Sequence, residues 1–168
     1  MDIKKSLLIY VVEDNLIYNR MVCEYLKKQD YTNVKSFNSG NECMKAVMTG
    51  AKPDIVIQDY YLEDSTGIDV LQAVKKQSKN SEFIFLTANE DMEIAVNSIK
   101  YGAFDYIIKD NDVAFKKLVD KINKVSKLIL LRRNNKVSKL AMIIILIILI
   151  LIIISGILLY SFGIIHSV

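Results

Sequence analysis

The amino-acid sequence predicts an α/β domain, a doubly wound parallel sheet of five strands, followed by one C-terminal helix that crosses a membrane. Three observations predict it. Short apolar runs rich in Val, Ile and aromatic residues alternate with longer amphipathic stretches, the pattern of buried parallel strands and helices. Four of those runs stop at a residue able to handle phosphate or a divalent metal: Leu7–Val12 at Glu13-Asp14, Ile55–Gln58 at Asp59, Phe83–Leu86 at Thr87 and Tyr106–Ile108 at Lys109. The carboxyl ends of parallel strands share one edge, where open α/β sheets form their ligand crevice, so three carboxylates, a hydroxyl and an ammonium are expected to meet there. Third, Leu140 to Ile165 is a run of 26 residues without a charge.

The strands are predicted over Ser6–Val12, Asn33–Ser36, Asp54–Gln58, Glu82–Leu86 and Phe104–Ile108, alternating with five helical stretches. No Gly/Ser/Pro linker interrupts the series, so one domain is expected over 1–126. Asp91-Met92-Glu93 places acids on a first helical turn, Tyr101-Gly102 gives a glycine stop, and Asp112 is a good N-cap for the last helix. Right-handed crossovers build a doubly wound sheet from this alternation, which leaves the strand order open. In the last helix Phe115, Leu118, Ile122, Val125 and Ile129 recur at three-four spacing and form a face for the sheet; past Val125 the same stripe also suits a helical or coiled-coil stalk. Cys23 and Cys43 lie inside helical patterns and are expected to be small core residues, with neither a disulfide nor a metal.

The charge divides the chain. Up to Asp110 there are 13 Lys/Arg against 17 Asp/Glu, and from Asn111 onward 9 against 2. The net charge of +3 averages an acidic domain and a basic tail, so the pI of about 8.7 is no argument for nucleic acid. Residues 127–139 are expected to be a basic juxtamembrane stalk and 140–165 the membrane helix. At about 1.5 Å per residue that helix spans roughly 39 Å against a hydrocarbon core of about 30 Å. The positive-inside rule leaves the folded domain in the cytoplasm, and the basic run would also attract anionic headgroups. Met1–Ser6 carries no targeting pattern. Gly156 and Gly163 form no small-xxx-small pair, so dimerisation through the span stays open.

Several motifs in the right order resemble the receiver domain of two-component response regulators, from Ser6 to about Ser126. They are Val11-Val12-Glu13-Asp14-Asn15, Asp54-Ile55-Val56-Ile57-Gln58-Asp59-Tyr60-Tyr61-Leu62 with Gly67 after it, Phe85-Leu86-Thr87-Ala88, and Gly102-Ala103-Phe104-Asp105-Tyr106-Ile107-Ile108-Lys109. The resemblance implies the flavodoxin-like strand order 2-1-3-4-5 and a histidine kinase or phosphotransfer protein as phosphoryl donor. It also implies the backbone carbonyl of Tyr61 as a metal ligand, Tyr106 as a switch aromatic, and an output surface on the fourth helix, fifth strand and fifth helix.

The chemistry at the sheet edge is set by the residue types. Carboxylates gathered there repel one another unless a cation sits among them, and Mg²⁺ takes oxygen ligands while keeping several waters. Glu13 and Asp14 are expected to hold it, and Asp59 to supply an oxygen and act as nucleophile. An anion attacking a phosphoryl anion is hindered mainly by charge, which the metal and Lys109 neutralise. Thr87 is expected to donate its hydroxyl to a phosphoryl oxygen, a contact made in one state only and so able to shift a population.

Two features depart from the receiver pattern: the acid pair is Glu13-Asp14 rather than Asp-Asp, which does not trouble the metal, and the lysine lacks its usual proline. Lys109 precedes Asp110 where the family usually has a proline with a cis bond, and a non-proline cis bond costs roughly 2.5–4 kcal/mol, so this loop is expected to be trans or strained. The leading expectation is a membrane-anchored, single-domain response regulator. It would be a phosphoacceptor that slowly loses its phosphoryl group rather than a turnover enzyme, with no second soluble domain, signalling to a downstream protein. The alternative is a receiver-like scaffold independent of phosphorylation, motivated by Lys109-Asp110. An aspartate-nucleophile hydrolase would carry a second acid two residues after the nucleophile, where this chain has Tyr61.

Overall fold

The computed structural model describes residues 3–88 and 92–165, with the backbone alone at 92, 111, 112 and 161–165. The chain falls into two compact units, Met1–Ile129 and Leu130–Val168.

The first unit carries a five-stranded parallel sheet of β1 (Ile9–Val12), β2 (Val34–Phe37), β3 (Ile55–Gln58), β4 (Glu82–Thr87) and β5 (Asp105–Ile108). The order across the sheet is β2-β1-β3-β4-β5, the 2-1-3-4-5 arrangement. Between the strands run α1 (Leu16–Lys28), α2 (Gly40–Met48), α3 (Gly67–Gln77) and α4 (Met92–Lys100), and α5 begins at Asn111. Alternate residues of each strand face opposite sides. Ile9, Val11, Ile55, Ile57, Ile84, Leu86 and Ile107 join α1 and α5 in one apolar cluster; Tyr10, Val12, Val56, Phe83 and Phe85 join α2 and α3 in the other. The near-continuous apolar runs result from this, since helices cover both faces. The stripe from Phe115 to Ile129 is buried along its whole length within the first cluster. Cys43 is buried, Cys23 half-buried, and both are free thiols.

The helix starts are set by short polar side chains that accept the unpaired amides of a first turn. Asn15 Oδ1 accepts from Ile17 and Tyr18, Ser39 accepts from Glu42, and Thr66 forms a reciprocal capping box with Asp69. After α4, Gly102 adopts φ +97° and closes the helix, as the Tyr101-Gly102 pair predicts.

Three expectations need correction or fall elsewhere. Ser6 is not in a strand: Ile3–Ser6 is a helical turn, and β1 starts only at Ile9. The cause is distant in sequence, because the Leu8 amide donates to Asp54 Oδ2 at 2.9 Å before the ladder begins. Asp112 is not the N-cap of α5, since the Ala114 amide donates to the Asp110 carbonyl at 3.1 Å and the helix already includes Asn111. Asp91 lies outside the described residues, while Glu93 is on the first turn of α4.

A two-stranded antiparallel ribbon, Tyr61–Leu62 with Ser65–Thr66, sits between β3 and α3 and has no counterpart in the sequence expectations. Its turn residue Asp64 accepts the Gly40 and Asn41 amides, each at 2.9 Å, so the ribbon is tied to the start of α2.

The second unit is the remainder of α5, which is helical through Ile165. Every described side chain from Leu130 to Tyr160 is exposed. Among the described residues this is the one helix long and apolar enough to cross a membrane, by length and composition.

Candidate functional site

Sheet register delivers the site. Val12 pairs with Phe37 and Gln58, Gln58 with Phe85, and Thr87 with Ile108, so the residues just beyond β1, β3 and β5 emerge along one edge. The backbone continues the ladder for one more step. Glu13 donates its amide to Phe37, Asp59 to Val12 and Lys109 to Thr87, at 3.1, 3.0 and 2.8 Å. Asn19 in α1 reinforces the edge, its Nδ2 donating to the carbonyls of Glu13 at 3.0 Å and Phe37 at 2.9 Å.

Three of the predicted residues meet directly. Lys109 Nζ lies 2.6 Å from Glu13 Oε2 and 2.6 Å from Asp59 Oδ2. The side chains are 11 %, 5 % and 12 % exposed, so this is a nearly buried ion triad rather than a surface salt bridge. Burial pushes the Glu13 carboxyl above its ordinary value; the Lys109 ammonium pulls the other way, and the charges of Asp59 and Asp14 add to the rise. Lys109 also sits over the Tyr18 ring, 4.5 Å from its centroid. The Tyr18 phenol is pushed up to about 12 by burial and then by the charges of Glu13, Asp59 and Asp110, so it stays neutral.

The other predicted residues are placed around the triad. Asp14 is half-exposed and its Oδ2 accepts the Glu63 amide at 3.0 Å, which links the acid pair to the loop after Asp59. Tyr61 lies in the ribbon and is 54 % exposed. Thr87 is buried at the end of β4. Tyr106 is half-buried and lines a hollow with Ala95, Val96, Ile99 and Asp105, between α4 and β5. Among the described residues there is no cis peptide bond, so Lys109 joins Asp110 in trans.

Do these residues suit a divalent cation? Among the described residues no three His, Cys, Asp or Glu side chains stand gathered as a ready cluster. Yet Asp59 Oδ1 is buried without a hydrogen-bond partner, and it belongs to a site where burial first, and then the charges of Asp59 and Asp14, raise the Glu13 carboxyl. An orphaned carboxylate oxygen at an edge that also carries Glu13 and Asp14 offers hard oxygen donors, the chemistry that fits Mg²⁺.

Residues 9–123 match the response regulator receiver domain. The chain belongs to this family. The chemotaxis protein CheY of Thermotoga maritima is 28% identical over 119 residues, covering 71% of this chain and 97% of CheY. The transcriptional regulator NtrC of Proteus hauseri is 30% identical over 105 residues, covering 62% of this chain and 22% of NtrC. LuxO of Vibrio cholerae is 30% identical over 120 residues, covering 70% and 26%. This chain therefore spans about a quarter of the length of NtrC and LuxO, and nearly all of CheY. Among solved structures, the signal receiver domain of a LuxO repressor protein from Vibrio parahaemolyticus superposes with TM-score 0.66 at 25% identity, covering 74% of this chain and 92% of that one. The response regulator TrrA of Thermotoga maritima, solved with Mg²⁺ and beryllofluoride, gives 0.61 at 26% identity, covering 70% and 96%. The receiver fold and its flavodoxin-like topology are thus shared by this chain.

Sequence reasoning did not find Tyr18, Asn19 or Asp64. Tyr18 and Asn19 read as ordinary members of an amphipathic helix, and Asp64 as a loop acid; nothing in the local pattern says which backbone each reaches.

Proposed function

We propose that this receiver is a membrane-anchored response regulator that takes a phosphoryl group on Asp59 with Mg²⁺ and signals through protein contacts. The observation that carries the reading is the Lys109 ammonium, 2.6 Å from both Glu13 and Asp59 at the carboxyl edge of the sheet.

Glu13, Asp14 and Asp59, with the Tyr61 carbonyl, would hold the metal, whose chemistry there is to neutralise charge on the reacting oxygens. An Asp59 oxygen attacks phosphorus, forming the new P–O bond while the bond from phosphorus to the donor breaks and its electron pair leaves with the donor. The donor is a phosphohistidine of a kinase or phosphotransfer protein. Lys109 turns from Glu13 toward the phosphoryl oxygens and offsets the negative charge that accumulates in the transition state. Thr87 then donates its hydroxyl to a phosphoryl oxygen, a contact absent from the resting protein. Tyr106, beside α4, moves inward as Thr87 shifts, and the face of α4, β5 and α5 changes its affinity for a downstream protein. The group is lost slowly by hydrolysis, so the protein is a switch and not a turnover enzyme. The apolar end of α5 crosses the bilayer, with the receiver on the cytoplasmic side.

Incubating the full chain with Mg²⁺ and acetyl phosphate is expected to give an acid-stable, base-labile adduct that Asp59→Asn abolishes. An adduct that persists in Asp59→Asn refutes the phosphoacceptor, and no adduct in the unaltered chain favours the scaffold alternative. In a fractionated lysate the intact chain is expected with the membranes; recovery in the soluble fraction refutes the anchor.

A further inference from the structure

Lys109 is not held by its carboxylates alone. Its Nζ lies 4.5 Å from the centroid of the Tyr18 ring, within the range where the negative face of an aromatic quadrupole attracts an ammonium. The residue is fixed at its backbone and at its ring. The Tyr18 amide donates to Asn15 Oδ1 at 3.0 Å, in the capped first turn of α1. The ring stacks on Phe115 of α5, with centroids 5.7 Å apart and planes at 25°, and Tyr25 flanks the same Phe115 at 5.1 Å. Tyr18, Phe115 and Tyr25 thus form a packed aromatic row, anchored in the apolar cluster beneath α1 and α5.

We propose that Tyr18 is a positioning residue for phosphoryl transfer, its ring face holding the Lys109 ammonium over Asp59. The proposal rests on the reading of Asp59 as phosphoacceptor. Lysine is a point charge on a flexible four-carbon stem, so something must select one of its many rotamers. The backbone does little of this here: Lys109 joins Asp110 in trans, and the Asp110 amide only returns to the Ile108 carbonyl at 2.8 Å. Glu13 and Asp59 engage two of the three ammonium hydrogens. Both bonds are directional, and in the proposed step the ammonium turns from Glu13 toward a phosphoryl oxygen. A ring face attracts charge from any orientation, so the ammonium turns toward the phosphoryl group without losing that contact. Tyr18 therefore acts through Lys109 and needs no contact with the reacting atoms.

The test uses the full chain in detergent micelles, with Mg²⁺ and acetyl phosphate, and reads the rate of adduct formation on Asp59. Tyr18→Leu, which keeps apolar bulk but removes the ring, is expected to be about fivefold slower, within the range a cation–ring contact spans. Tyr18→Phe, which keeps the ring and loses the hydroxyl, is expected to recover the rate to within about twofold. A second readout needs no variant: the Lys109 ε-methylene proton resonance is expected upfield of the other lysines, displaced by the ring current. A Tyr18→Leu rate equal to that of the unaltered chain overturns the proposal. So does a Tyr18→Phe rate as low as that of Tyr18→Leu, or an undisplaced Lys109 resonance. If Tyr18→Leu does not fold, the Tyr18→Phe rate and the resonance decide. Failure of the phosphoacceptor reading is distinguishable, because it appears as no adduct on the unaltered chain whatever the resonance shows. Failure of the Tyr18 assignment appears as adduct formation indifferent to the ring.

Discussion

Removing the ammonium from the ion triad isolates its contribution. In Lys109→Met the stem is kept and the charge is lost, leaving Glu13 and Asp59 facing each other with side chains only 5 % and 12 % exposed. Breaking a nearly buried pair by deleting one partner costs about 3–5 kcal/mol, because the other charge is stranded without water. Both apolar clusters lie within residues 1–129, so that unit is the part to titrate with urea. With a urea dependence of about 2 kcal/mol/M for a domain of this size, the midpoint is expected to fall by roughly 1.5–2.5 M near neutral pH. The loss has a signed pH dependence. Burial and the neighbouring acids already raise the Glu13 carboxyl, and without the ammonium nothing opposes them. A carboxyl raised above its unfolded value contributes stability that is fully present below the unfolded pKa and lost as pH rises through the folded one. The defect is therefore expected to shrink as pH falls toward the carboxylate range. On the proposed reading, Mg²⁺ at about a hundred times its dissociation constant for Lys109→Met is expected to restore roughly 2.7 kcal/mol, and the same concentration less in the unaltered chain, where the ammonium competes for the same oxygens. A midpoint shift below about 0.5 M, equal at pH 5 and 8 and indifferent to Mg²⁺, refutes the reasoning.

Local geometry sets three further outcomes. In Gly67→Ala the new methyl meets the Phe85 ring, Gln58 Nε2 at 2.7 Å and the Asp59 carbonyl at 2.9 Å, so about 1–3 kcal/mol of stability is expected to be lost in a urea titration. Asp64→Ala removes the acceptor shared by the Gly40 and Asn41 amides; a cost of about 1 kcal/mol is expected, with faster hydrogen exchange at those two amides and unchanged exchange in α1. Burial pushes the Cys43 thiol from 9.0 up to about 12, and a raised group stabilises fully below its unfolded pKa and loses that stability as pH rises toward the folded value. Stability is thus expected to fall between pH 9 and 12, on the order of 4 kcal/mol from this group, and Cys43→Ala to show a flatter alkaline limb in urea midpoints across that range.

The strand cores and the site edge were legible because burial on both faces forces long apolar runs, and a parallel sheet then brings together the residues that terminate those runs. Glu13, Asp59 and Lys109 are consequences of that one regularity. Boundaries were less legible. Ser6 reads as the start of a strand until Asp54 captures the Leu8 amide from the bend before β3. Asp110 and Asp112 are both suitable caps; the choice fell to Asp110, because the Asp110 amide returns to Ile108 and the helix begins at once. Tyr18 was unreadable for a different reason. Its helical spacing is that of any core residue, and its value comes from a lysine that only the assembled sheet brings over its ring.

The ammonium between Glu13 and Asp59 has a consequence for how the protein is made. In many small metallo-domains the ion's binding free energy is folding free energy, so the apo chain is unfolded. Here the chain supplies its own counter-ion, 2.6 Å from each acid. On the proposed reading, assembly of the domain and loading with a divalent cation would be separate events. A newly synthesised copy would then mature in an ion-poor medium with its acids already aligned, and ion availability would govern its readiness to react rather than its survival.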